Sequence, residues 1–235
     1  MSLSNLTALV TGASKGIGAE VCRVLADEGA TVFAMARSAD LLADLEERSG
    51  CHPIVGDVTR EADLARAVDV VSAESGGPPD LVVSSAGVFD LAPLAETPTE
   101  VLDRNLDVNL RGAFLLVRAV LPGMLERGSG LIVTVGSVAG RTAFPGNAAY
   151  SASKFGVRGM HEVLLEEIRG SGVRATLLEP GACDTPIWDD LEPDAREDLP
   201  DRGQMLRPRD VAEAVVFLAS RPADVQVPLL LVQRA

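Results

Sequence analysis

The stretch LTALVTGASKGIGAEVCRVLADEG, residues 6–29, decides the fold. Residues 6–11 form a short β-rich apolar run, Gly12, Gly16 and Gly18 follow, and from residue 17 apolar side chains recur at three- and four-residue intervals. A strand therefore passes through a glycine-rich turn into a helix with one buried face. Glycine permits positive φ and close backbone approach, and the helix N-terminus beyond it offers unpaired N–H groups and partial positive charge, a combination that suits a pyrophosphate. The spacing is GxxxGxG rather than the commoner dinucleotide-binding GxGxxG.

The same alternation extends outward. Further strand-like runs stand at 31–36, 52–56, 81–85, 131–136, 174–179 and 227–232, and helical periods at 17–28, 60–74, 99–110, 112–127, 150–170 and 209–220. Strands that are apolar almost throughout belong to a sheet buried on both faces, and strict β/α alternation implies parallel order with right-handed crossovers. The reading is a single-domain α/β fold over 1–235, a doubly wound, Rossmann-like, parallel seven-stranded sheet with helices on both faces. TPTE at 97–100 predicts a helix start, with Thr97 as N-cap, Pro98 at the first helical position and Glu100 closing a capping box. ESGGPPD at 74–80 reads as a tight turn before a strand. The longest stretch without period, 181–208, is rich in Asp, Glu and Pro and is expected to carry a lid over about 182–206.

Composition sets limits. With 47% hydrophobic and 23% charged residues the chain is of ordinary globular type. A net charge of −13 repels polyanions, so neither nucleic acid nor an anionic membrane surface is an expected partner. Cys22, Cys51 and Cys183 are widely spaced, and His52 and His161 are the only histidines, so neither a disulfide framework nor a metal site is expected. No basic N-terminal region precedes an apolar run and no apolar stretch approaches the roughly 18 residues needed to span a bilayer, so a cytoplasmic location is expected.

Two further places carry chemistry. At the end of the second strand, VFAMARSADLL has no acid to hold a ribose 2′-hydroxyl; Arg37 followed by Ser38 suits a 2′-phosphate instead, with Lys15 as a second cation. NADP(H) is thereby favoured, and NAD(H) is left open. AAYSASKFG, at 148–156, holds the only tyrosine, Tyr150, and one of two lysines, Lys154, four positions on. On a helix these share a face, and a fixed positive charge beside a phenol favours phenolate, bringing the group toward acid and base work near neutral pH.

TGxxxGxG at 11–18, GDV at 56–58, SSAG at 84–87, VNL at 108–110, VGSVAG at 135–140, YxxxK at 150–154 and PGACDT at 180–185 occur in chain order. Together they resemble the short-chain dehydrogenase/reductase family over nearly the whole chain. The resemblance implies that Tyr150 is the general acid and base, that Lys154 lowers its pKa and holds the nicotinamide ribose, that Ser137 bonds the substrate oxygen, and that Asn109 holds a water relaying protons to Lys154. It further implies coenzyme contacts from Gly12, Ser14, Lys15, Gly16, Ile17 and Gly18, from Arg37 and Ser38, from Asp57 and Val58 at the adenine, and from Ser85, Ala86 and Gly87. Pro180, Gly181, Cys183 and Thr185 would meet the nicotinamide carboxamide.

Two departures stand out. Ser84 and Ser85 replace the family's usual asparagines, and Cys183 occupies a position that is usually aliphatic. The C-terminal VPLLLVQRA lacks the glycine-rich ending of many members and is similar to NADP-linked members acting on small hydroxy acids or alcohols. The implied reaction is hydride transfer between NADP(H) and a secondary alcohol or ketone, on a small neutral or hydroxy-acid-like substrate. Phe144, Ile187, Trp188, Leu191 and Met205 are expected to line its pocket. An acidic lid ranks carrier-bound acyl groups, the substrates of a 3-oxoacyl-type reductase, lower; a nucleotide-binding regulator without turnover is the reading from another class. A homodimer or homotetramer paired through helices 99–127 and 150–170 is the family expectation.

Overall fold

The structure, a computed structural model, describes residues 3–235; Met1 and Ser2, which the expected 1–235 domain includes, lie outside the described residues. The chain alternates β1 (Thr7–Thr11), α1 (Gly16–Asp27), β2 (Thr31–Ala36), α2 (Ala39–Ser49), β3 (His52–Val55), α3 (Glu61–Ser75) and β4 (Leu81–Ser84). Then follow α4 (Thr99–Asn105), α5 (Gly112–Arg127), β5 (Gly130–Val135), α6 (Ala148–Glu167), β6 (Val173–Pro180), α7 (Pro208–Ala219) and β7 (Leu229–Val232). All seven strands are parallel, in the order β3-β2-β1-β4-β5-β6-β7.

Register explains the continuous apolar runs. Val10 pairs with Ala34 and Val83, and these residues face the core beneath α1 and α7; Leu9 pairs with Phe33 and Val82, and these face the core beneath α3 and α5. Successive residues of one strand thus feed opposite cores. The order of connection reverses between β1 and β4, and a crevice opens at the carboxyl ends of strands flanking such a switch point.

Several expectations are corrected. α2 is absent from the helical periods of the sequence, because only Leu42 among its residues is buried and a helix lying largely in water shows little apolar period. Thr97 does not cap α4: Pro98 is the N-cap, and the Thr97 hydroxyl donates back to the carbonyls of Ala92 and Pro93. The helical periods at 99–110 and 112–127 form one continuous helix, Thr99–Arg127, joined by a π-helical segment at Leu106–Arg111. That helix is long and apolar enough to cross a membrane, against expectation. Charged residues in its first half interrupt the apolar run, and 44% of its most apolar window is buried inside the protein. The segment at 181–208 forms three short 3-10 turns and is stapled at its base, with Leu206 N–H donating to Ala182 C=O and Asp184 N–H to Leu206 C=O, each at 2.8 Å.

Candidate active site

A cavity of about 700 Å³ lies across the carboxyl ends of β1, β2, β4, β5 and β6. One end is the glycine turn. Gly12 holds φ +70°, and a Cβ there would stand 2.6 Å from the backbone of Ala86; a Cβ on Gly18 would stand 2.4 Å from the carbonyl oxygen of Gly12. The turn is therefore pressed against the segment after β4 more closely than any side chain allows, and the backbone itself lines the cavity. Ser14, Lys15, Gly16 and Ile17 complete this wall. Arg37, Asp57, Val58, Ser85, Ala86 and Gly87 line the adjoining part. The backbone cradle, the helix N-terminus and the Arg37 guanidinium suit the phosphates of a dinucleotide.

Ser38 directly follows Arg37 as the N-cap residue of α2, makes no side-chain cap bond and is not among the residues lining the cavity. Pro180, Gly181, Cys183 and Thr185 do line it. The Cys183 thiol is buried in the apolar core beneath α7, and burial, with Asp184 and Asp210 nearby, pushes it up to about 12. It is a filler and not a nucleophile.

At the other end α6 presents Tyr150 and Lys154 on one face, and Ser137 stands just beyond β5. The Ser137 hydroxyl accepts from Ala139 N–H at 3.1 Å and lies in hydrogen-bonding reach of the Tyr150 phenol. Lys154 is 6% exposed; its Nζ donates to the Val135 carbonyl at 2.9 Å and lies 5.6 Å from the centre of the Tyr150 ring. Burial pushes this ammonium down from 10.5 to about 8. The expected depression of the phenol is corrected: burial pushes Tyr150 above its ordinary value, opposed by the hydrogen bond with Ser137, and the neighbouring ammonium does not outweigh it.

Asn109 sits in the π-helical segment, 2% exposed, and does not line the cavity. Its side-chain carbonyl accepts from Val88 N–H at 2.8 Å, and its amino group reaches Val88 C=O at 3.0 Å and Ser153 Oγ at 3.0 Å. The amide is thus engaged in holding the segment after β4 against α6. Asn105, one turn earlier and fully buried, extends the ladder: its Nδ2 donates to Asp90 Oδ2 at 2.9 Å, and its Oδ1 accepts from Asn109 at 3.3 Å.

Sequence reading misses Phe89. Its ring packs edge-on against both Tyr150, at 4.8 Å between centroids, and Trp188, at 4.9 Å, tying the phenol to the covering loop. Phe144, Ile187 and Trp188 line the cavity as expected, whereas Leu191 does not and Met205 is 2% exposed beneath the Cys183–Leu206 bridge. Leu199 and Pro200 stand in their place. The covering loop keeps its acidic excess, eight carboxylates at 182–206 against two arginines, and both arginines are paired within it. Arg202 binds Asp184 and Asp189 at 2.6 and 2.7 Å, and the Arg196–Asp198 pair, at 2.7 Å, itself lines the cavity.

The short chain dehydrogenase family profile matches residues 6–196. D-threitol dehydrogenase of Mycolicibacterium smegmatis is 40% identical over 94% of this chain and 88% of its own length. Glycine betaine reductase of Emericella nidulans is 37% identical over 98% of this chain, which spans only 19% of that longer protein. The closed form of a serine dehydrogenase complexed with NADP+ superposes with a TM-score of 0.88 at 30% identity, covering 97% of this chain and 94% of the other. With its parallel sheet, glycine cradle and Ser–Tyr–Lys cluster, the chain belongs to the short-chain dehydrogenase/reductase family, oxidoreductases that act on CH–OH groups with a nicotinamide coenzyme.

Proposed function

We propose that this chain interconverts a small secondary alcohol and its ketone with NADP(H), Tyr150 moving the hydroxyl proton. The observation that carries the reading is that Ser137, Tyr150 and Lys154 share one cavity with the glycine turn and Arg37. The coenzyme, when bound, supplies or takes the hydride at its nicotinamide ring. The chain supplies placement and protons. Ser137 holds the substrate oxygen beside the phenol, Tyr150 gives or takes the proton at that oxygen, and Lys154 supplies positive charge next to both. Asn109 acts from behind, by fixing the segment at Val88 and, through Ser153, the turn of α6 that carries Tyr150.

Arg37 supports NADP(H) over NAD(H): it directly follows β2, where an acid would otherwise meet a ribose hydroxyl, and it lines the cavity. The apolar walls and the paired mouth support a small substrate, and the similarity to a D-threitol dehydrogenase supports a hydroxylated one. Residues 182–206 serve as its cover. Exposed Phe114 on α5 and Phe155 and Val163 on α6 support self-association through those helices.

The test is loss of reduced-nicotinamide absorbance over a panel of small ketones, with NADPH and with NADH. Turnover with NADPH favoured at least tenfold, and that preference lost in Arg37→Ser, is expected. Coenzyme binding without turnover of any carbonyl would overturn the reading.

A further inference from the structure

Among the described residues Glu179 is the one buried carboxylate, 1% exposed, and it does not line the cavity. It stands near the end of β6, directly before Pro180 and Gly181, which do. Two arginines converge on it. Arg141 Nε donates to Glu179 Oε2 at 2.6 Å, and Arg158 Nη1 stands 3.8 Å from Oε1. The fit is incomplete: Glu179 Oε1 and Arg141 Nη2 are buried without a hydrogen-bond partner. A cluster of this kind contributes little to stability, because apolar side chains of similar volume in its place commonly do as well or better.

Where the arginines come from gives it another use. Arg141 directly follows the 3-10 turn Val138–Gly140, of which Ser137 is the N-cap, and its N–H donates to Val138 C=O at 3.1 Å. Arg158 stands one turn beyond Lys154 on α6, and spacing of i,i+4 puts the two on one helix face. The turn itself is wedged between β6 and α6. A Cβ on Gly136 would stand 3.2 Å from Glu179 Cγ, and a Cβ on Gly140 would stand 3.0 Å from the Lys154 carbonyl oxygen. Ser137, between these glycines, thus has Glu179 behind one end of its turn and α6 behind the other.

We propose that Glu179, acting through Arg141 and Arg158, is a positioning residue that sets Ser137 against Tyr150. It touches no reacting atom. The serine hydroxyl and the phenol must meet at one substrate oxygen, and they belong to different elements, so their separation depends on what ties the turn after β5 to α6. A misplacement of about 1 Å is enough to cost a reaction about 10²-fold. This inference rests on the reading given under Proposed function and adds a residue to that site.

The test is single-turnover reduction with NADPH of whichever ketone, in a panel of acetone, hydroxyacetone, cyclohexanone and pyruvate, the wild-type enzyme turns over best. NADPH affinity is measured in parallel. Glu179→Gln keeps the shape of the side chain and removes its charge. The double variant Arg141→Leu/Glu179→Leu removes both partners of the 2.6 Å pair, so its melting temperature is expected not to fall. In both, transfer is expected to slow by about tenfold to hundredfold while NADPH affinity stays within about threefold of wild type. A role in stability alone predicts instead that the folded double variant transfers at the wild-type rate. A wild-type rate in either variant, or a fall in NADPH affinity as large as the fall in rate, would overturn the inference alone. Should the double variant not fold, Glu179→Gln decides. Absence of turnover of every ketone of the panel by the wild type, with either coenzyme, would remove the proposed function, and this inference with it.

Discussion

Tyr150 and Lys154 share a face of α6 without bonding to each other: Lys154 Nζ donates to the Val135 carbonyl at 2.9 Å and stands 5.6 Å from the centre of the Tyr150 ring. The lysine is thereby tied to the end of β5, and its charge is held at a buried position, 6% exposed.

Stability should respond to that charge. Burial depresses Lys154 from 10.5 to about 8, so the folded state binds this proton less tightly than the unfolded state. The cost is fully present below pH 8 and disappears as pH rises toward 10.5. Lys154→Met is expected to stabilise the unliganded protein by about 2 kcal/mol at neutral pH, after allowing for the lost Val135 bond, while abolishing turnover. Denaturant titrations of both proteins should show the gap closing above pH 8. A gap that widens with pH would contradict the assignment.

The two directions of reaction should differ in pH dependence. Burial holds the Tyr150 phenol above its ordinary value, so it is protonated near neutrality, the form that donates to a carbonyl oxygen. Reduction should therefore be insensitive to this group at neutral pH, and alcohol oxidation, which needs the deprotonated form, should rise as the medium becomes alkaline. Profiles of kcat/KM in both directions check this. An oxidation profile flat from about pH 6 to about pH 10 would count against Tyr150 as the base.

Two glycines with similar backbone angles should behave differently. At Gly12 (φ +70°) a Cβ would meet the Ala86 backbone at 2.6 Å, whereas at Gly50 (φ +68°) it would meet nothing within 4 Å. Gly12→Ala is expected to cost about 2–4 kcal/mol and to abolish coenzyme binding. Gly50→Ala should cost about 1 kcal/mol and leave binding intact. Chemical denaturation with coenzyme titration separates them.

Asn109→Ala removes a clamp and leaves the Val88 N–H and C=O without their side-chain partners. A loss of about 2–3 kcal/mol is expected. Turnover should fall more than coenzyme affinity, because the clamp reaches Tyr150 through Ser153, whose hydroxyl donates to the Tyr150 carbonyl at 2.7 Å. Equal falls in both would make Asn109 a general stabiliser only.

The sheet is legible in the sequence because each strand is buried on both faces, so Leu9 and Val10 alike are apolar and feed separate cores. The glycine turn and the Tyr150–Lys154 pair are legible because each depends on spacing within one element. What escapes depends on contacts between elements or on weak burial. α2 buries only Leu42 and carries little apolar signal. Thr97 spends its hydroxyl on Ala92 and Pro93, a fold-back that the TPTE pattern does not encode. Phe89 matters because α6 and the covering loop converge on it, and Glu179 because Arg141 and Arg158 reach it from two other elements. Adjacency groups Ser38 with Arg37, but of the two only Arg37 lines the cavity.

The most direct test of Tyr150 as the proton-transfer group is single-turnover carbonyl reduction by Tyr150→Phe at saturating NADPH, a level set by titration. The account predicts coenzyme affinity within about twofold of wild type and a transfer rate lower by about 10²–10⁴. Coenzyme bound as before with transfer at close to the wild-type rate would contradict it.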